Sequence, residues 1–131
     1  MRSFLLFKTI FGGKQMKVKD YINKYINEIC YIQCFVNRKG IYDITDKYTQ
    51  YLITAKDGAT SCYTSNLQLS PYILNSIPKK VYLFTKEEYE LIILDLNYET
   101  SIPKNKKALL FLFGPDILEN DNCTAYTLDE D

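Results

Sequence analysis

The sequence predicts an α+β fold: a single domain in which a mostly antiparallel sheet is covered by one N-terminal helix. Three observations predict it. An apolar stripe of helical period runs from Val18 to Ile29, runs of strand character then alternate with turn signals, and no internal repeat interrupts the order. At 131 residues, 47% hydrophobic and 24% charged, the chain has enough material to bury one core and too little for two.

Residues 1–15 are expected to be a leader or an artefact of start assignment. Phe11-Gly12-Gly13-Lys14-Gln15-Met16 back-translates to a bacterial ribosome-binding site, an A-rich spacer and a start codon at Met16. Frequent Ile, Lys, Asn and Tyr fit an AT-rich Gram-positive genome or one of its phages. A signal peptide does not fit, because Lys8 breaks the apolar run that an h-region of about 7–15 residues requires. No stretch reaches the roughly 18 apolar residues of a membrane-spanning helix, so a cytoplasmic protein without membrane contact is expected.

The domain is expected to span 16–114. Val18, Tyr21, Ile22, Tyr25, Ile26 and Ile29 fall on one stripe, with Lys17, Lys19, Asp20, Asn23, Lys24 and Asn27 opposite, which predicts a helix of about three turns. In "EICYIQCFVNRKG" both alternating faces are apolar, so a central strand follows, ending at a turn that uses Gly40. "IYDIT" and "YTQYLITA" return as its hairpin partner, up to Asp57-Gly58. Residues 59–70 read as an irregular loop, and Ser70-Pro71 opens one helical turn with Ser as N-cap and Pro in the first helical position.

"KKVYLFT" is a strand, and "ELIILDL" is read as its hairpin partner. A helix from Thr85, with Glu88 completing a capping box, is the competing reading of that stretch. "ALLFLFG" is a further buried strand stopped by Gly114-Pro115, and 115–131 is an acidic C-terminal tail in which "CTAYTL" adds an edge strand.

Charge and composition exclude several functions. The chain carries 16 basic and 16 acidic side chains; without Arg2, Lys8 and Lys14 the remainder is 13 against 16, a mildly acidic domain without the basic footprint of a nucleic-acid binder. The 12 tyrosines are explained by strands, where the ring suits a half-buried pleated surface. There is no histidine, which removes Ser-His-Asp and Cys-His nucleophiles and His-based zinc sites. The five glycines form no phosphate loop and no dinucleotide fingerprint.

Cys30, Cys34, Cys62 and Cys123 are too scattered for a four-thiolate zinc site and read as reduced packing thiols, with Cys30 and Cys34 buried on one strand face about Ile32. Asp43 and Asp46, and the group Glu87, Glu88 and Glu90, read as solvated or turn-capping charge. No cofactor, no metal and no catalytic residue is expected.

The uneven feature is the C-terminus. Asp116, Glu119, Asp121, Asp129, Glu130 and Asp131 follow Lys107 with no intervening base. A solubilising terminus is the plain reading, and an acidic lure for a basic protein surface is the functional one.

"MKVKDYINKYI", an aromatic strand, "NRKGIYDIT", the turn "LSPYILNS" and "KKVYLFT...ELIILDL" together resemble the small accessory proteins of Gram-positive phages and conjugative elements. The resemblance covers residues 16–96. Together with the ribosome-binding-site signature, the small size and the lack of catalytic residues, it supports a module that binds and inhibits a host protein such as a defence nuclease; the acidic C-terminus points to a basic, nucleic-acid-binding surface on that protein, with no direct contact with nucleic acid. An immunity or antitoxin protein is a second reading of the same class. A small-ligand binder that sequesters a nucleotide signal is the alternative of a different class, with Arg38, Lys39, Lys79 and Lys80 as phosphate contacts and Tyr31, Tyr42 or Tyr82 stacking on the base.

Overall fold

The computed structural model describes residues 16–38, 50–55, 69–89 and 105–127. Within them the chain forms an α+β fold around a five-stranded sheet. The first helix, α1, spans Val18–Lys24 and begins where the Asp20 carboxylate accepts the Lys17 backbone N–H at 3.4 Å. Val18, Tyr21 and Ile22 are buried on its inner side. The expected stripe runs out early: the helix is seven residues long, Tyr25 closes it, and Ile26 is 38% exposed on the turn that follows.

Strand β1, Ile29–Asn37, is the sheet's middle strand. It pairs antiparallel with β2, Gln50–Ala55, with Phe35 opposite Leu52. On its other side it pairs parallel with β4, Lys107–Phe113, with Cys34 opposite Phe111. Strand β3, Lys80–Phe84, lies antiparallel on β4, and β5, Cys123–Thr127, lies antiparallel on β2. The order is β3-β4-β1-β2-β5. The sheet is therefore mixed, and the expectation of a mostly antiparallel sheet is corrected at its centre. Two chain segments far apart in sequence run side by side there, because each is apolar on both faces and both faces are covered.

The expected hairpin partner of "KKVYLFT", the stretch "ELIILDL", lies outside the described residues. Among the described residues β3 pairs with β4, and residues 86–89 are helical. The Thr85 hydroxyl accepts from Glu88 N–H at 3.2 Å and the Glu88 carboxylate accepts from Thr85 N–H at 3.0 Å, so the capping box decides the start of this segment. Residues 90–97 lie outside those described.

One face of the sheet carries the main core. Ile29, Ile32, Cys34 and Val36 of β1, Ile53 of β2, Val81 and Leu83 of β3, and Leu109, Phe111 and Phe113 of β4 form one buried cluster with Val18, Tyr21 and Ile22. Tyr21 meets the Phe111 ring at 6.0 Å between centroids. Helix α2, Pro71–Leu74, starts as expected, with Ser70 Oγ accepting Ile73 N–H at 3.3 Å, and adds Ile73 to the cluster. Its following turn ties back to α1 through Val18 N–H and the Ser76 carbonyl at 3.0 Å.

Beyond β4 the chain does not leave the fold. Residues Pro115–Glu119 form a 3-10 helix whose Ile117 enters the same cluster. This segment crosses the core face and delivers the chain to β5 on the far edge, three strands away from β4.

The opposite sheet face is buried too. By alternation it carries Tyr31, Gln33, Phe35 and Asn37 of β1, Tyr82 and Phe84 of β3, and Ala108, Leu110 and Leu112 of β4. Tyr89, fully buried, packs its ring against Tyr31 at 5.5 Å and donates its hydroxyl to Gln33 Oε1 at 2.7 Å.

A bulge corrects the reading of the cysteines. Opposite the step from Lys107 to Ala108, β1 advances from Ile29 to Tyr31, so Cys30 is the extra residue. The bulge lets Ile29 and Ile32 share the core at a spacing of three and turns Cys30 out of it. Cys34 is buried; Cys30 is half-buried, and the two do not share a face about Ile32. Cys30, Cys34 and Cys123 are free thiols, and Cys62 lies outside the described residues.

Candidate functional site

The segment after β4 is fixed at both ends, and this decides what its acids can do. Gly114 is the buried N-cap of the 3-10 helix, Pro115 occupies its first turn, and Ile117 anchors it from within. In a 3-10 helix residues three apart lie on the same side. Asp116 and Glu119 are therefore stacked along one face, and both are exposed. The chain then turns on Asn120, whose side-chain oxygen accepts Asn122 N–H at 2.7 Å and whose carbonyl accepts Cys123 N–H at 3.1 Å. Asp121 stands exposed at the tip of that turn.

None of the three carboxylates meets a basic side chain among the described residues. Tyr72 of α2 borders them. Burial first, then the neighbouring Cys123, Asp116 and Glu119, push its phenol above the ordinary range, so its hydroxyl stays a neutral donor at neutral pH. The result is a negative, aromatic-edged face on rigid backbone, with the partly buried Leu118 and Cys123 behind it. Of the six acids that sequence reasoning selected, the structure brings together Asp116, Glu119 and Asp121; Asp129, Glu130 and Asp131 lie outside the described residues.

The basic group selected for a nucleotide is spread out. Arg38 is exposed just past the end of β1, while Lys79 is exposed and Lys80 half-buried at the start of β3. Both positions are at one end of the sheet, but β4 lies between their strands, which separates them by two strand spacings, about 9–10 Å. Lys39 and Tyr42 lie outside the described residues. Tyr31 and Tyr82 are buried, at 7% and 3% exposure, and Tyr82 is stacked on Phe84 with ring centroids 5.6 Å apart. Neither ring has a face open to a base, which corrects their assignment as stacking groups.

Asp43, Asp46 and Glu90 are also outside the described residues; Glu88 is the capping carboxylate already noted and Glu87 is exposed. Among the described residues no group of three or more Cys, Asp or Glu is placed to hold a metal ion.

Sequence reasoning missed one feature. At the other end of the sheet, where β3 ends and β4 begins, Thr85, Lys86, Glu87, Asn105, Lys106 and Lys107 enclose a cleft of about 390 Å³. Lys107 is held by Glu28 at 3.1 Å, and Lys106 reaches the Asn27 carbonyl at 3.5 Å. Asn105, at φ 67°, makes the left-handed turn that brings Lys106 and Lys107 to the start of β4. The signal was present in "PKNKK", a lysine-rich stretch leading directly into the strand.

No family model matches the sequence, and comparison with curated proteins and with solved structures returns no significant match.

Proposed function

We propose that this chain is a binding module, a mobile-element accessory protein that acts in the cytoplasm by engaging and inhibiting a host protein through a basic surface. The observation that carries the reading is the placement of Asp116, Glu119 and Asp121. They are exposed, have no counter-charge among the described residues, and sit on a backbone locked by Ile117 and the Asn120 turn. Like charges held side by side repel, and a partner bearing Lys or Arg relieves that repulsion on binding. Tyr72 adds what interface centres favour, an aromatic ring with a donor at its tip. The target is a defence factor whose own ligand is nucleic acid, because such a factor displays the basic groove that this face complements.

Nucleotide sequestration through Arg38, Lys79 and Lys80 is the weaker reading, since Tyr31 and Tyr82 are committed to the sheet interior.

The test is a triple neutralisation, Asp116→Asn with Glu119→Gln and Asp121→Asn. Affinity for the host protein captured by the wild-type chain is expected to fall at least tenfold, with a flatter dependence on salt, while circular dichroism and the melting temperature stay unchanged. Exposed charges act over about 8–10 Å at moderate ionic strength, so the wild-type complex should itself weaken as salt is raised. Equal, salt-independent affinity in the triple variant would remove this face from the interaction.

A further inference from the structure

The sheet ends differently at its two edges. β3, at one edge, opens on Lys79 and Lys80, and charge of this kind guards an edge against a further strand. β5, at the other edge, reads CTAYT, with no charged residue and no proline. Its pairing with β2 runs without a bulge, from Tyr51 opposite Thr127 to Ala55 opposite Cys123. A strand directs its backbone N–H and C=O groups to both sides, and among the described residues no strand takes up the row that β5 turns away from β2. Cys123, Thr124 and Ala125 are each half-buried, so neither face of the strand is closed over at its start.

We propose that β5 accepts an extended, basic segment of the partner protein as a sixth strand of the sheet. The inference rests on the reading of this chain as a binding module for a basic partner, and it names the part of that partner that docks. An open strand edge recognises another strand: main-chain hydrogen bonds supply affinity and alternate side chains supply selection. Charge does the selecting at the ends. Asp121 stands exposed on the turn that leads into β5, with Glu119 exposed just before it, and Asp129, Glu130 and Asp131 follow the strand in sequence. A second copy, parallel or antiparallel, would set one acid-flanked end against another, and like charges across a strand pair oppose that alignment. A Lys or Arg at the C-terminal end of an antiparallel segment falls beside Asp121 instead. In the middle of the strand, Cys123 and Ala125 pack against the core cluster, so an aliphatic residue opposite Ala125 extends that core as Ile53 does from the other side.

The probe is the peptide QYLITAKK, which repeats β2, already matches the register of β5, and carries two lysines at the end that meets Asp121. Added to the full chain, it is expected to slow amide hydrogen exchange within residues 123–127. The control QYLITAEE should bind about tenfold more weakly at low salt, and Asp121→Asn should narrow that difference. Methylating alternate peptide nitrogens gives two complementary sets; the set that faces β5 should abolish binding, and the other should leave it intact. No slowing at millimolar peptide would overturn the proposal, as would binding by both methylated sets. Equal affinity for QYLITAEE would overturn the basic segment. Salt-dependent binding of the host protein that leaves exchange in β5 unchanged would overturn the added strand while the proposed function stands. Peptide addition at β5 together with host binding that ignores the three neutralised acids would support the strand and count against the proposed function alone.

Discussion

Tyr89→Phe removes one oxygen from the interior and tests how the second sheet face is held. The Tyr89 hydroxyl donates to Gln33 Oε1 at 2.7 Å, and both residues are fully buried. Gln33 Nε2 has no partner among the described residues, so the amide is half satisfied at best. A buried polar atom left without a partner costs about 1–3 kcal/mol, while the net value of a made hydrogen bond is about 0.5–1.5 kcal/mol. Tyr89→Phe leaves Gln33 with no bond at either end and is expected to destabilise by about 1–3 kcal/mol. Gln33→Met takes away the acceptor at 2.7 Å from the Tyr89 hydroxyl but also removes the unpartnered Nε2, so its cost should be smaller, within about 1 kcal/mol of wild type.

The double variant removes every polar atom of the pair and should be no less stable than Tyr89→Phe alone. That outcome is a coupling of about 1–2 kcal/mol in a double-mutant cycle read by urea unfolding. Additive costs, with the double variant the least stable of the set, would refute the reasoning and place the hydrogen bond outside the energetics of the fold.

Ile22→Asp buries a charge in the main core and should cost at least 3 kcal/mol, whereas Ile26→Asp, on the exposed turn, should stay within about 0.5 kcal/mol; equal melting temperatures would undo the orientation of α1. The Tyr21 hydroxyl is buried beside the Met16 backbone but outside hydrogen-bond geometry, so Tyr21→Phe should be neutral or stabilising by up to about 1 kcal/mol in the same unfolding assay. Native alkylation should modify Cys30 before Cys34; burial raises the Cys30 thiol, with Lys106 opposing, so labelling should accelerate only as the pH climbs above the ordinary thiol range. Burial raises Tyr21, Tyr72 and Cys123 in the folded chain, so the unfolded chain loses these protons first. The contribution of these groups should be intact below the unfolded values, about 8.5 for Cys and 10 for Tyr, and decline as the pH rises through them, which a pH series of melting temperatures checks.

What the sequence conveys is local. The Ser70-Pro71 start and the Thr85 and Glu88 box depend on contacts within four residues, and both appear in the structure as the chain spells them. β1 is legible as a central strand because both of its faces are apolar. What alternation does not carry is the identity of a strand's neighbour. Nothing in "KKVYLFT" names "ALLFLF", well downstream, as its partner, yet the two pair antiparallel. The two runs that stay apolar on both faces, "ICYIQCFV" and "ALLFLF", are the pair that meets in parallel, a signal the sequence held. The bulge at Cys30 was not legible, because a single inserted residue shows itself only against its partner's register. The acids of the C-terminal segment were visible, but their rigid display rests on Ile117, one apolar residue among polar ones.

The parallel pairing of Ile29–Asn37 with Lys107–Phe113 has a consequence for how the chain assembles. The strand that completes the middle of the sheet is made late, and it must enter between two segments made earlier, β1 and β3. Until it arrives, β1 and β2 can form only a two-stranded ribbon with an apolar flank open to water, which is marginal by itself. Closing so long a loop before any reward in contacts makes acquisition of the native state slow, on the millisecond-to-second scale typical of non-local topologies. During synthesis the nascent chain would carry "ICYIQCFV" uncovered for most of its length, and that stretch is where a chaperone would be expected to hold it.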